Sequence, residues 1–523
     1  MRDGRTGGPL RFDVVVLGGA IAGASTAVLL RRRLPGLTVL VLERETAFDR
    51  KVGESTVEIS AYFLTRVLKL TDYLAREQIT KQGFRYWFWR GDVTCLREAS
   101  EVGPAQLSRT PSFQLDRSLL DEHVLSLAAA EGAVVWRPAR AAEVRLAEET
   151  GAAENVVVVE RDGERIEVAA GWVVDATGRA ATIARRKGLL RPLDAHPTAS
   201  LWARFRGVKD LDGVEVAGTD PADPFVRSVI APRRLATNHV VGLGYWIWLI
   251  PLRGGETSVG LVWDKRLVDP PGDSPEERLL RFLGGNPITK ELLEHASIVP
   301  GDARFYGHLP YLCERVAGDG WSLVGDAAGF LDPFYSPGLD QMTFSVSWTL
   351  ELIRRRSTTP REEFRGEVAR HNGRYARFFR FFFGAIYQDK YWLMGDYDTM
   401  TTAFLIDTAL YYLAAVIPVY RWSADRLLVP PFYQDHSEVA FYPMRFYQRR
   451  LVSLARRKLA LGVYGNHNAG RRPGIVGFSV RSSVWVMLGH GLVRWAKAEL
   501  WNAAWHLVRP APMRDRMPIQ DRA

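Results

Sequence analysis

Cysteine is almost missing from this chain: Cys95 and Cys313 are the only two in 523 residues. So few exclude a disulfide framework and a cysteine zinc site, and they fit a reducing cytosol. The opening stretch, Met1 to Phe12, has no apolar core of the signal-peptide kind, so a cytoplasmic location is expected. No apolar run approaches the roughly 18 to 20 residues that span a bilayer. The longest, Ala409 to Tyr420, is short and contains Pro418. Histidines such as His308, His371 and His467 show no metal-ligand spacing, and no Ser/His/Asp arrangement is legible. Internal repeats and low-complexity tracts are missing too. What remains is 47% apolar and 24% charged, the balance of a soluble globular protein, at a length that implies two or three substructures.

Charge is unevenly spread. From Arg421 to Ala523 there are 17 Lys and Arg against 6 Asp and Glu, a net +11 in the last fifth of the chain that leaves the rest near neutral. Such a segment suits an anionic membrane or an acidic carrier protein, but a solvated basic face is the simpler reading. A nucleic-acid partner is not expected.

The N-terminal residues carry the first positive signal. Phe12 to Leu17 reads as a buried parallel strand, followed by Gly18-Gly-Ala-Ile-Ala-Gly23, an apolar helix Ala24 to Leu34, and a second strand Thr38 to Glu43. In this strand–turn–helix–strand context, Gly18, Ala20 and Gly23 let backbone N–H groups meet a pyrophosphate, and Glu43 is placed to hold a ribose hydroxyl. A helix is expected over Gln114 to Ala130. Strand-like runs follow at Ala133–Trp136, Ala142–Leu146, Val156–Arg161, Glu164–Val168 and Gly171–Val174. Val240–Ile250 and Glu256–Val262 read as paired strands around a Gly-Gly turn. After Gly338 the pattern becomes helical and aromatic-rich. Arg494, Trp495, Lys497, Trp501 and Trp505 mark a basic, aromatic helix near the end, expected to dock on the body, with a membrane interface as the alternative.

Three further segments turn a nucleotide fold into a flavoprotein pattern: Arg50-Lys-Val-Gly-Glu54-Ser55, Val173-Val-Asp175-Ala-Thr-Gly178, and Ser322-Leu-Val-Gly325-Asp326-Ala-Ala-Gly329. A carboxylate after the last strand can accept a ribityl hydroxyl, and the Pro337-Gly338 helix start can aim N–H groups at an isoalloxazine ring. Between them lies Gly244-Tyr-Trp246-Ile-Trp248-Leu-Ile-Pro251. Its two indoles at i and i+2 share one strand face and form a flat, water-excluding wall.

On these motifs the chain resembles the class A flavin monooxygenase superfamily and, within it, the flavin-dependent halogenases, over about residues 12 to 350. The fold this implies is α/β: a Rossmann-like FAD-binding domain of the p-hydroxybenzoate hydroxylase type, with an inserted β-sheet substrate domain and a C-terminal helical region. Residues 1–75, 110–195 and 300–356 are assigned to the first, 76–109 and 196–299 to the second, and 357–523 to the third. The resemblance carries over a helix-borne arginine near the flavin as Arg117, and the Trp-x-Trp-x-Ile-Pro marker as Trp246, Trp248, Ile250 and Pro251. Phe334 and Tyr335 would line the channel.

The family's channel lysine is best matched by Lys81, which would hydrogen-bond hypohalous acid or form a haloamine. The reaction implied is halogenation by bound FADH2 and oxygen, through a flavin hydroperoxide that oxidises chloride or bromide. Asp332-Pro-Phe-Tyr-Ser-Pro-Gly338 lacks the substrate-orienting glutamate of tryptophan-acting relatives, which points to a phenolic or pyrrolic substrate, free or tethered to a carrier protein. Asp175-Ala-Thr-Gly178 replaces the Asp-Gly element by which hydroxylases recruit NAD(P)H, implying a separate flavin reductase. Two alternatives stay open: a flavin hydroxylase or epoxidase, and a flavoprotein-like component that docks to a carrier or membrane.

Overall fold

A computed structural model describes residues 10–110, 112–228, 231–421, 441–472, 474–475 and 483–508. Its first sheet has the strand order 317–318, 321–323, 164–175, 10–17, 39–42 and 134–136. Leu10–Leu17 lies between Val39–Leu42 and Glu164–Asp175, parallel to both, with Leu17 opposite Leu42 and Asp175. Trp321–Leu323 extends the parallel set beside Asp175. Because these strands run the same way and end level, the turns after Leu17, Asp175 and Leu323 all emerge at one edge. This is the carboxyl-end crevice where α/β sheets bind ligands. Val14 to Leu17 and Val39 to Leu42 are all buried, as their unbroken apolar runs require.

The second sheet has nine strands, with Glu256–Asp264, Tyr245–Pro251 and Thr237–Gly242 at its centre and Phe84–Phe88 beyond them. Here the expected strand over Val240–Ile250 is two strands. Gly244, at φ +83°, turns the chain back and pairs Trp248 with His239 across the hairpin. A bulky residue at that φ would be strained, which is why the apolar run breaks there. Two smaller expectations also change. Glu164 to Asp175 is one continuous strand, and the helix after Gln114 starts only at Arg117, where the Asp116 carboxylate caps it by accepting from the Ser118 and Leu119 N–H groups.

The region after residue 357 is mainly helical among the described residues, with Arg361–Phe382, Tyr397–Tyr411, Phe441–Ala460 and Ser483–Val508, and its short strand Gly474–Ile475 joins the second sheet. Tyr397–Tyr411 runs on through a π-helical turn, Tyr412–Val416, to Arg421. Within the resulting 25-residue helix an 18-residue stretch has a mean hydropathy of 1.6, so by length and composition it is long enough to cross a membrane. This corrects the expectation drawn from apolar runs alone, because its interspersed Thr residues hid its length. Most of that span is nevertheless packed inside the protein. The final helix docks on it and on Phe441–Ala460: a Cβ at Gly491 would lie 2.7 Å from Ile406, Arg494 pairs with Asp398, and Trp495 packs on Tyr447 of the second helix. The side chain of Trp505 lies outside the described residues.

Candidate active site

The sheet edge is shaped to take a dinucleotide. Gly18 has φ +95°, and a Cβ at Gly23 would sit 1.9 Å from the Gly18 carbonyl oxygen, so both positions demand glycine. Ala20 caps the helix Ile21–Arg33 without a side-chain hydrogen bond, leaving its first N–H groups without a side-chain partner. The Glu43 carboxylate accepts from the Gly19 N–H at 2.8 Å and the Glu45 N–H at 2.9 Å, which fixes the turn at the end of its strand. Gly178 and Gly338 face open space. Pro337 leaves the following helix, Gly338–Arg356, without a side-chain cap. Among the described residues no side chain donates to the Asp326 carboxylate. Burial raises its pKa, while the Arg179 and Arg117 charges oppose that rise. An uncapped helix start, a glycine cradle and an unclaimed carboxylate fit FAD, and the cofactor is FAD.

Other residues expected at the cofactor already have protein partners. Asp175 accepts from the Thr177 N–H and hydroxyl through one oxygen and from the Ile183 N–H through the other, so it ties its own turn. Glu54 is buried and takes the Arg204 guanidinium at 2.5 Å, joining the motif to the second sheet. Arg50 reaches Glu256 at 3.1 Å across the same seam. Arg117 donates to Asp121 and to the Val52 carbonyl, and a Cβ at Gly53 would meet its guanidinium at 2.6 Å. These groups brace the walls of the site.

Lys81 ends the short strand Ile79–Lys81 and is 1% exposed. Its ammonium donates to Ser55 Oγ at 2.7 Å and to the Thr56 carbonyl at 2.8 Å, and it lies 3.7 Å from the centre of the Phe84 ring. Burial brings its pKa down to about 7, against the opposing pull of Glu58 and Asp340. The Gly-Glu-Ser motif and the lysine, 26 residues apart, therefore form one unit. Ser55 also pairs with Thr237 of the second sheet at 2.9 Å.

Lys81 lines a cavity of about 120 Å3, whose walls include Phe84, Tyr335, Pro337, Phe344, Phe378 and Tyr387. The opposite side comes from the C-terminal helices, through Asp407, Tyr411, Tyr412 and Met444. Asp407 forms a buried ion pair with Lys390 and accepts from the Tyr335 hydroxyl at 3.1 Å. Tyr335 and Ser336 have φ of +68° and +53°, a left-handed pair just before the helix at Gly338. Strained backbone of this kind persists only where its surroundings hold it, and it clusters at functional sites.

Trp246 and Trp248 share one strand face as expected, but their ring planes are tilted by 46°, so the wall they form is not flat. Both indoles are buried, with centroids 5.7 Å apart. Trp248 lies over Gly260, where a Cβ would come within 2.2 Å of the indole, and donates to Ser258 Oγ. Trp246 packs on Phe334 at 5.3 Å and on His239 at 5.3 Å, and His239 on Phe84 at 5.5 Å, so rings connect the wall to Lys81. Burial pushes His239 down to about 3, so it stays neutral. A hydrogen-bond relay ties the wall to the segment before the Gly338 helix. Trp246 donates to the Tyr391 hydroxyl at 3.0 Å, Tyr391 donates to Asp332 at 2.9 Å, and His196 contacts the same carboxylate at 2.8 Å.

Sequence reasoning did not single out Glu58, His196, His239, Asp340, Lys390 or Asp407. Only Glu58 and Asp340 carried a local signal, each a charged residue a few positions from a motif.

A family model described as tryptophan halogenase matches residues 13–103 and 93–409. The chain is similar to the flavin-dependent halogenase chlA of Dictyostelium discoideum, 26% identical over 378 residues, which cover 66% of this chain and 60% of that protein. It is also similar to a 1H-pyrrole-2-carbonyl-(peptidyl-carrier protein) chlorinase of Pseudomonas fluorescens, 26% identical over 63% of this chain and 72% of that one. The match spans only about three-fifths of the length of the first of these relatives. In fold, it resembles halogenase PltM in complex with phloroglucinol and FAD, with a TM-score of 0.64 at 18% identity, covering 95% of each chain.

Proposed function

Because the chain belongs to the tryptophan halogenase family, we propose that it halogenates an electron-rich aromatic metabolite, phenolic or pyrrolic, using FADH2, oxygen and chloride or bromide. The observation that carries this reading is Lys81, a buried amine on the wall of an aromatic cavity that is joined by a chain of ring contacts to the Trp246–Trp248 wall. Reduced FAD with oxygen supplies the oxidant that turns halide into hypohalous acid. The protein's task is to receive that acid and present it to a ring. Two of the Lys81 protons are held by Ser55 and Thr56, so the third N–H is left to bind the hypohalous oxygen. The aromatic wall keeps water out, which limits loss of the reagent.

The missing Asp-Gly element supports a separate NAD(P)H-dependent flavin reductase as electron source. A carrier-bound pyrrole is the substrate named for one relative, and phloroglucinol lies with PltM. Both are electron-rich rings, which suits a reagent that reacts as an electrophile.

The test is incubation with a flavin reductase, FAD, NADH and bromide over a panel of phenols, indoles and pyrroles, read by mass spectrometry. Bromide-dependent isotope doublets are expected. Products that gain oxygen and ignore halide would replace this reading with hydroxylation.

A further inference from the structure

Three carboxyl groups face the cavity that holds Lys81: Asp340, Asp407 and Glu58. Their hydrogen bonds separate them. Asp340 has both oxygens engaged, Oδ1 by the Ser60 N–H and Oδ2 by the Tyr411 hydroxyl, each at 2.8 Å. Asp407 is committed to the Lys390 ammonium and the Tyr335 hydroxyl. Glu58 differs. Oε1 accepts from the Tyr412 hydroxyl at 2.7 Å, the carboxylate also takes its own backbone N–H, and among the described residues no other side chain donates to it. Thr110 in turn pairs with the Tyr412 oxygen at 2.9 Å, so Tyr412 is oriented to donate toward Glu58. The charged neighbour acting on Glu58 is Lys81 itself. It opens the helix Glu58–Tyr62, three residues after Ser55, which Lys81 grips.

Resting on the halogenase reading above, we propose that Glu58 is a catalytic base that takes the hydroxyl proton of a phenolic substrate, so that the pocket selects phenols over aromatic rings with no acidic O–H. A phenolate ring is far richer in electrons than a phenol, and an electrophilic halogen needs that richness. The geometry divides the labour: Lys81 holds the halogen reagent and Glu58 holds the oxygen of the ring that receives it. Burial raises the Glu58 pKa, opposed by the Tyr412 hydrogen bond and the Lys81 charge, and this brings it nearer to a phenol's own value.

The steps balance. The phenolic proton passes to Glu58. A ring carbon then forms its bond to the halogen as the halogen–oxygen bond of hypohalous acid breaks, and the departing hydroxide takes a proton from Lys81 to leave as water. The halogen-bearing carbon loses its hydrogen as a proton to the now neutral Lys81, restoring the ring, and Glu58 returns its proton to the phenolate. The sum is aromatic C–H plus hypohalous acid giving aromatic C–X plus water, with both side chains restored.

The test compares Glu58→Gln with wild type on a phenol and on its methyl ether, both with reductase, FAD, NADH and bromide. Glutamine keeps an oxygen for Tyr412 to donate to, so the site is preserved while the base is lost. The expected result is a fall of about 100-fold in kcat for the phenol, little change for the slower methyl ether, and partial recovery in Glu58→Asp. A wild-type rate on the phenol, or an equal loss on both substrates, overturns the proposal. A second arm needs no halogenation: oxidised, FAD-loaded enzyme is mixed with 4-nitrophenol below that phenol's own titration. A phenolate absorption band in wild type that disappears in Glu58→Gln supports the base, and identical spectra overturn it. If wild type brominates nothing, the halogenase reading falls while this second arm still decides the role of Glu58.

Discussion

The dinucleotide edge at Leu17, Asp175 and Leu323 and the cavity around Lys81 both rest on the helix Gly338–Arg356, yet different kinds of sequence build them. Ser345 of that helix accepts from the Gly325 N–H at the edge, while Asp340, two residues past its start, faces the cavity. The edge is made of short, contiguous motifs whose glycines are fixed by backbone contact. The cavity is made of single side chains from positions 58, 81, 335, 407 and 412, brought together by tertiary packing. Two π-helical turns, Phe383–Tyr387 and Tyr412–Val416, contribute lining residues, and a third, Phe63–Val67, follows the helix that carries Glu58. Such turns insert one residue into a helix and often mark functional sites. The lesson is that the cofactor edge is built from local motifs, while the cavity wall is built from distant positions that only the fold brings together.

This contrast can be broken from either side. The largest effect is expected from Gly23→Val, whose side chain would collide with the Gly18 carbonyl. Purified protein should lose its bound FAD, read as visible absorbance after desalting. Retention of one FAD per chain would show that the turn does not cradle the cofactor.

Asp407→Asn strikes the other side. It leaves the buried Lys390 ammonium without its counter-ion, which should cost about 3 to 5 kcal/mol in urea unfolding, with FAD content unchanged in the folded fraction. Unchanged stability would mean that the pair does not hold the wall.

The pH dependence follows from Lys81. Its folded pKa of about 7 lies below the ordinary 10.5, so over that interval the unfolded chain binds more protons and stability rises with pH. Wild type should gain about 4 kcal/mol relative to Lys81→Met between those limits. In the same variant pair, measured as urea midpoints, a gap that stays constant with pH would contradict the shift. Activity has the opposite slope: the ammonium carries the proton that leaves with hydroxide, so kcat should fall as pH rises through about 7.

The smallest effect is expected from Trp246→Phe, which removes one N–H donor to Tyr391 at a net cost of about 1 kcal/mol. Halogenated product per NADH consumed should drop several-fold while FAD stays bound.

Legibility followed the same division. The Gly18–Gly23 turn, Glu43 and Gly325-Asp326 were readable because backbone conformation dictates residue type over a few consecutive positions. The choice of Lys81 rested on resemblance, and its contact with Ser55 was not foreseen, since no local pattern requires a lysine on a three-residue strand to reach back 26 positions. Glu54 and Asp175 were legible as motif residues, but their engagement with Arg204 and with Thr177 depends on packing. Asp407 and Tyr412 were illegible because a Thr-rich apolar helix looks the same whether its polar residues face a cavity or a neighbour. The hairpin at Gly244 was read through because the apolar run continues on both sides of one glycine.

The central claim is that Lys81 delivers halogen to a ring bound in the cavity shared with the C-terminal helices. Its most direct test is Lys81→Ala, assayed for ring bromination, FAD content and bromide oxidation together. The account expects FAD to remain bound and bromide to be oxidised and released as hypobromous acid. Ring bromination within the protein should fall about 1000-fold. Bromination at the wild-type rate would contradict it.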